Sequence, residues 1–168
     1  TGTDRINYAA SQLDSDLIIN LQGDEPLISS DAIQEFSNRL KTISVDSHRV
    51  ILNGLSELDQ KYAFDPNNVK AVINDANDVI YLSRKPIRNT NDITDMPVYL
   101  KQLGLYGFSK TILEEFASIS QPRVEKTESI EMMRWLNIRE TISGIILDTP
   151  SISVDTPEDL LLATSKLL

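Results

Sequence analysis

Apolar positions recur along this chain in two alternating rhythms. Near the start, Ile6, Ala9, Ala10 and Leu13 share one helical face, with Thr3 offering an N-cap oxygen and Asp4 in the first turn. The run DLIINLQ follows, nearly continuous in aliphatics and of strand length, the pattern of a parallel strand buried on both faces. Ile33, Phe36, Leu40 and Ile43 return to helical spacing from a start at Ser30 or Asp31. RVILNGL predicts a second strand, and NNVKAVINDANDVIYLSR predicts two more around a polar turn at Asp75 to Asn77. KPIRNTNDITDMP, crowded with Pro, Asn and Asp, reads as a long loop, and loops of that length are often functional. VYLKQLGLYGF is a further strand in which Gly104 and Gly107 permit a bulge or a close backbone approach. Ile112, Phe116 and Ile119 line a short helix, and Ile130, Met133 and Leu136 a longer one within TESIEMMRWLNI. TISGIIL is a strand, and VDTPEDLLLATSKLL is the last helix, with Thr156 as N-cap, Pro157 at the first helical position, and Glu158 and Asp159 favourable to the helix dipole.

Strands alternating with helices predict an α/β domain: an open, mixed, mostly parallel sheet with helices on both faces, spanning residues 1–168 as one unit. Domains of this class usually begin with a central strand, whereas this chain opens on a helix. Its six glycines are scattered, and neither GxGxxG nor GxxxxGK[ST] occurs, so no glycine-rich phosphate loop is present.

Composition narrows the chemistry. At 168 residues and 18.8 kDa, with 40% hydrophobic and 24% charged residues, the chain can bury a real core. No apolar run approaches the ~18 residues that span a bilayer, so no membrane partner is expected. The absence of cysteine removes disulfides and thiolate metal sites and makes a cytoplasmic location the default expectation. A single histidine, His48, excludes multi-histidine zinc centres, leaving a hard, oxygen-bound cation such as Mg2+. The formal net charge of −9 argues against nucleic acid, whose affinity comes largely from Lys and Arg on phosphates.

The segment NLQGDEPLIS ends an apolar strand in two adjacent carboxylates, Asp24 and Glu25. Ligands of open α/β sheets collect at the carboxyl ends of strands, and Asp155, after SISV and before a helix, lies at another such end. Two converging aspartates could share one Mg2+ with substrate oxygens and water. The plainer alternative is an Asx-type turn at Asp24 and Glu25 and a helix cap at Asp155. A hydrolase using Asp24 and Glu25 as general acid and base is disfavoured, because neighbours in an extended segment point to opposite sides.

The segments GTDRI, INLQGDEPLI, FDPNNVKAVIND, IYLSRKPI, QLGLYGFSK and SVDTPEDLLLA together resemble the cytidylyltransferase family, nearest to its 3-deoxy-manno-octulosonate (Kdo) branch. The resemblance runs from Gly2 to the C-terminus in the family's order. It implies a fold of the nucleotide-diphospho-sugar transferase type and transfer of a cytidylyl group from CTP to the anomeric hydroxyl of an acidic eight-carbon sugar, releasing pyrophosphate. It also implies Asp24 and Asp155 as Mg2+ ligands and catalytic residues. Gly2, Thr3 and Gln22 fall at the nucleotide, and Arg5, Gln22, Gln102, Tyr106 and Glu131 at the sugar, the Arg5 guanidinium suiting a carboxylate. The family is homodimeric, with Lys70 to Arg84 and Lys101 to Phe108 as candidate contacts, and its products are activated sugars for lipopolysaccharide or capsule.

Two departures and one omission qualify that likeness. Gln102 stands where the family usually carries histidine, and Met132 where a glutamine follows the glutamate, which opens the way to an amino-substituted or otherwise modified sugar. The family's N-terminal third, with its basic CTP-gripping loop, has no counterpart, so the chain corresponds to the C-terminal two-thirds of the fold and is expected to be poorly active alone. Alternatives are an acylneuraminate-type cytidylyltransferase and a non-catalytic sugar-binding remnant.

Overall fold

A computed structural model describes residues 1–87, 99–149 and 152–167. The expected loop at KPIRNTNDITDMP falls largely outside the described residues. The elements, in order, are α1 (Gly2–Ser11), β1 (Leu17–Leu21), α2 (Ser30–Asp46), β2 (Ile51–Leu58), a 3-10 turn (Gln60–Tyr62), β3 (Lys70–Ile73), β4 (Val79–Ser83), β5 (Tyr99–Ser109), α3 (Lys110–Ser118), α4 (Arg123–Glu128), α5 (Met133–Asn137), β6 (Ser143–Ile146) and α6 (Pro157–Leu167).

The eleven-residue β5 organises the sheet, whose order is β4-β3-β5-β2-β6 with β1 also paired to β5. β1 and β3 lie along the same side of β5 as successive partners: β1 opposite Leu105 to Ser109, and β3 opposite Leu100 and Lys101. Between them, at residues 102–104, β5 has no regular strand partner on that side, and a cleft opens there. The sheet is open and mixed, with helices on both faces, as the alternation of elements predicts. The expected predominance of parallel pairing is not observed. β1, β2, β3 and β6 share a direction, but β5 runs against them from a central position. Among the described residues only β2 and β6 therefore pair in parallel.

β1 is accordingly antiparallel, and it is not buried on both faces. Ile18 and Asn20 point inward while Ile19 and Leu21 are exposed. Two apolar clusters sandwich the sheet. One joins α1, α3 and α5 through Ala10, Ile112, Phe116 and Trp135 to Ile51, Leu55 and Phe108. The other seats Phe36 and Leu40 of α2 on Leu52, Leu103 and Leu105. Gly107 makes that second contact possible, since a Cβ there would lie 3.1 Å from the Phe36 ring and 3.2 Å from Leu40.

Two helix expectations shift. Helix α1 is capped two residues earlier, by a reciprocal box in which the Thr1 hydroxyl accepts from Asp4 N–H, so Thr3 is inside the helix and buried. Helix α2 begins at Ser30, as expected, with Ser29 as its cap. The long helix expected in TESIEMMRWLNI is broken into α4 and α5 by Ser129, which adopts left-handed dihedrals (φ 55°). Residues 152–154 lie outside any strand, so Asp155 follows irregular backbone.

Candidate active site

The cleft beside residues 102–104 of β5 is built around an irregularity. Between Asn53 and Leu55 of β2, the pairing on β5 jumps from Tyr106 to Gln102, so several β5 backbone groups lack ladder partners. Side chains and loops supply them. Gln22 N–H donates to Gly104 O at 2.8 Å, and Gln102 N–H donates to Val69 O at 2.8 Å. Glu25 Oε1 accepts from Gly104 N–H at 3.0 Å. A Cβ at Gly104 would stand 3.0 Å from atoms of both Gln22 and Glu25, so glycine lets the Gln22–Glu25 turn lie flat on the strand. That is the close approach its sequence position predicts.

Gly23 and Asp24 thus form a turn rather than an extended segment, and Asp24 and Glu25 face the same cavity. Glu25 is buried, and its Oε1 also accepts from Ser153 Oγ at 2.9 Å, which makes it a brace under the site. Lys101, buried within β5, donates from Nζ to the same Ser153 Oγ at 2.8 Å. Val154 N–H donates to Asp24 O at 2.8 Å. These contacts carry the segment before α6 across the molecule and bring Asp155 into the cavity that Asp24 lines. Thr156 and Asp159 form a reciprocal cap at α6, with Thr156 N–H to Asp159 Oδ2 at 2.8 Å and Asp159 N–H to Thr156 Oγ1 at 3.2 Å. Thr156 is therefore the cap, and Asp155 is left to face the cavity.

The far wall comes from the break between α4 and α5. The Glu131 carboxylate accepts from Gly2 N–H and Thr3 N–H, each at 2.8 Å, and so sits at the N-terminus of α1. The left-handed Ser129 turns its carbonyl toward Arg84, whose Nη2 donates to it at 3.2 Å while Nη1 donates to Pro66 O at 3.0 Å. Lys70, fully buried, supports this wall by donating from Nζ to Asp65 O at 3.0 Å and to Arg84 O. The cavity so enclosed has a volume of about 240 Å³.

Of the residues singled out from sequence, Thr3, Gln22, Asp24, Gln102, Tyr106, Glu131 and Asp155 all line this cavity. Gly2 and Arg5 line an adjoining groove that shares Gln22 and Asp24 with it, and Arg5 is exposed there. Arg84 and Lys101, which periodicity alone does not assign to a site, are the cavity's cationic lining residues. The signal for Lys101 is a lysine inside an apolar strand.

The electrostatics follow from this crowding. Burial, then the charges of Asp24 and Asp159, push the Asp155 carboxyl above its ordinary range. Burial pulls the Lys101 ammonium down, opposed by Glu25, Asp155 and Asp24. Burial would raise Glu131, but the hydrogen bonds it accepts from Thr3 and Gly2 outweigh that and hold it below its ordinary value. Tyr106 is pushed well up, by burial first and by Glu131 next, and stays a phenol.

The cavity fits a hard divalent cation. Asp24 Oδ1 and Glu25 Oε2 are buried without a hydrogen-bond partner, and lone carboxylate oxygens of this kind are what such an ion coordinates. Among the described residues no group of three or more His, Cys, Asp or Glu gathers into a protein cage.

Comparisons with known proteins agree with this geometry. The family model described as Cytidylyltransferase matches residues 1–142. An 8-amino-3,8-dideoxy-manno-octulosonate cytidylyltransferase from Shewanella baltica is 37% identical over 95% of this chain and 66% of its own length. A 3-deoxy-manno-octulosonate cytidylyltransferase from Bdellovibrio bacteriovorus is 33% identical over 95% of this chain and 65% of its own. The chain thus spans just under two thirds of the length of these curated relatives. Among solved structures, a CMP:2-keto-3-deoxy-manno-octonic acid synthetase complexed with CTP superimposes with a TM-score of 0.84 at 28% identity, covering 99% of this chain and 68% of that one. The sheet with its cleft at β5, and a sequence match over most of the chain, lead to one conclusion: the chain belongs to the cytidylyltransferase family.

Proposed function

We propose that the protein transfers a cytidylyl group from CTP to the anomeric hydroxyl of an acidic eight-carbon sugar of the 3-deoxy-manno-octulosonate class. The carrying observation is the Val154–Asp24 backbone bond, which draws Asp155 into the cavity of Asp24, Arg84 and Glu131. In the reaction the anomeric oxygen bonds to the α-phosphorus, the bond to the β-phosphate oxygen breaks, and pyrophosphate and the hydroxyl proton are released.

Asp24 and Asp155 would hold Mg2+, with the orphaned Asp24 Oδ1 as one ligand. Bound there, the ion would neutralise phosphate charge and orient the phosphates for in-line displacement. Arg84 binds the sugar carboxylate. Its hydrogen bonds go to backbone carbonyls, which orient the guanidinium without cancelling its charge. Arg5 and Gly2, in the adjoining groove, serve the nucleotide side together with Gln22. Glu25 and Lys101 keep the Asp155 segment in place through Ser153. The same reading includes a cytoplasmic homodimer whose product feeds lipopolysaccharide or capsule assembly.

The test is pyrophosphate release by the full-length protein with CTP, Mg2+ and the sugar, with the CMP-sugar followed by 31P NMR. Turnover that persists unchanged in excess EDTA, or release without a sugar, would sink this assignment.

A further inference from the structure

A row of polar side chains crosses the sheet beside the cavity. Ser83 of β4 lies opposite Lys70 of β3, Lys70 opposite Lys101 of β5, and Lys101 opposite Ser56 of β2. Directly opposed residues present their side chains on one face, and all four are buried. Two ammonium groups side by side repel each other, and taking each out of water is costlier still. An aliphatic pair at this register would pack without either cost. The hydrogen bonds of the two lysines show what they do instead.

Lys101 reaches Ser153, in the segment that carries Asp155. Lys70 reaches the wall that holds Arg84, donating from Nζ to Asp65 O at 3.0 Å and to Arg84 O. The Asp65 carboxylate itself is taken up by its own loop, accepting from Asn67 N–H and Asn68 Nδ2 at 2.9 Å each. Arg84 Nη1 donates to Pro66 O, the carbonyl next in the chain after the one that Lys70 holds. One ammonium thus clamps the turn at residues 65–66 to the end of β4, and the guanidinium closes the same gap one residue on. Arg84 is fixed at both ends, at its own carbonyl by Lys70 and at its guanidinium by Pro66 O and Ser129 O. Burial pulls the Lys70 ammonium below its ordinary range; Asp65 opposes this and the Arg84 charge adds to it, so the two cations feel each other.

We propose that Lys70 is a positioning residue for the acidic end of the sugar, acting by holding Arg84 where its guanidinium meets the carboxylate; the inference rests on the sugar-nucleotide function above. Lys70 has no exposed surface and touches no ligand itself. A guanidinium fork grips a carboxylate only where both N–H groups line up with both oxygens, so a shift of about 1 Å at Arg84 weakens binding of the acid markedly. Among the described residues no carboxylate pairs with Lys70 or Arg84, and the acid of the sugar supplies the counter-charge for both.

The test is Lys70→Met in the full-length protein, alone and combined with Arg84→Ala, with far-UV circular dichroism to establish folding. KM for the sugar is expected to rise about tenfold, with KM for CTP and Mn2+ affinity by EPR each within about twofold of wild type. In the Arg84→Ala background the same substitution is expected to add less than about twofold, because the route from Lys70 to the ligand is gone. A lysine that only holds the sheet together would move all three quantities and add its full effect to that of Arg84→Ala. That result, or an unchanged sugar KM, would overturn the inference and leave the transferase function standing. If the wild type consumes no CTP with the sugar, the function itself fails and the inference with it. Hydrogen exchange on the wild type needs no variant to fold: the sugar should slow exchange at residues 67–70 and at Arg84 together, and protection missing from either segment would equally overturn the inference.

Discussion

Glu125 and Arg134 form a buried ion pair that clamps α4 to α5 around the break carrying Glu131. Arg134 Nε and Nη2 each reach a Glu125 oxygen at 2.7 Å, and the guanidinium stacks 3.8 Å from the Phe116 ring centroid. Both side chains are almost wholly buried, at 4% and 2% exposure, so little solvent screening weakens the pair. Replacing Glu125 by Leu strands the guanidinium with a long contact to Phe116 O at 3.4 Å and Asp4 at 3.9 Å. Leaving one such charge uncompensated costs about 3–5 kcal/mol. A domain of this size is stable by roughly 5–15 kcal/mol, so the loss is a large fraction of the whole. In urea, with a slope of about 2 kcal/mol/M, the midpoint should fall by about 2 M. The double variant Glu125→Leu/Arg134→Met removes both charges together and should recover most of that shift, since apolar replacement of a buried pair is often near neutral. Equilibrium urea denaturation of the wild type, both single variants and the double variant gives the coupling directly. A midpoint drop below about 0.5 M for Glu125→Leu would refute the claim that the pair is desolvated.

Four further outcomes follow from the site. Asp24→Asn and Asp155→Asn should each lower kcat by about 10³-fold, some 4 kcal/mol of barrier, and abolish Mn2+ binding seen by EPR, with far-UV circular dichroism unchanged. Arg84→Ala should raise KM for the sugar about 10- to 100-fold with a smaller effect on CTP, whereas Arg5→Ala should leave sugar KM within about threefold; steady-state kinetics separate the two. Because the Asp155 carboxyl is raised by burial and by Asp24 and Asp159, it keeps its proton in the folded state to higher pH than in the unfolded chain. It therefore destabilises the metal-free fold at neutral pH, a penalty relieved as pH falls through the raised pKa, and metal affinity weakens over that same window, starting above the ordinary carboxylate value of about 3.9; Mn2+ titrations across pH check this, and Asp155→Asn should remove the trend. Gly107→Ala sets a methyl 3.1–3.2 Å from Phe36 and Leu40 and should destabilise by about 1–3 kcal/mol on thermal unfolding.

Local rules that depend on local residues were legible in the sequence. The spacing of Phe36 and Leu40, the Thr156–Asp159 cap, the turn before Asp78 and the glycines of β5 could each be read within a few residues. Features decided by distant partners were not. The direction of a strand leaves no trace in its hydrophobic pattern, so the reversal of β5 at the centre of the sheet was hidden. β1 looked buried on both sides because Ile19 and Leu21 are aliphatic, although both are exposed. The break at Ser129 involves neither Gly nor Pro; it places Glu131 on the N-terminus of α1, more than a hundred residues away in sequence. Lys101 and Lys70 hide among apolar neighbours, since a lysine stem is largely hydrocarbon and only the fold shows where the ammonium ends.

These observations share one cause. Where β1 and β3 part along β5, the strand loses its ladder, and buried backbone groups must find partners elsewhere. Glu25 takes Gly104 N–H, Gln22 N–H takes Gly104 O, and Asn53 takes the carbonyls of Leu103 and Leu105. Each of these partners touches the cavity directly or through one neighbour: Glu25 and Gln22 line it, and Asn53 orients Gln102, which lines it. The polar groups that make the gap tolerable are thus the ones that shape the ligand site, so the cleft cannot be repaired into regular sheet without losing it. Arg84 differs, because its partners are carbonyls of Pro66 and Ser129 outside the gap. Changes at Glu25 or Asn53 should therefore disturb fold and site together, whereas changes at Arg84 should reach the ligand alone.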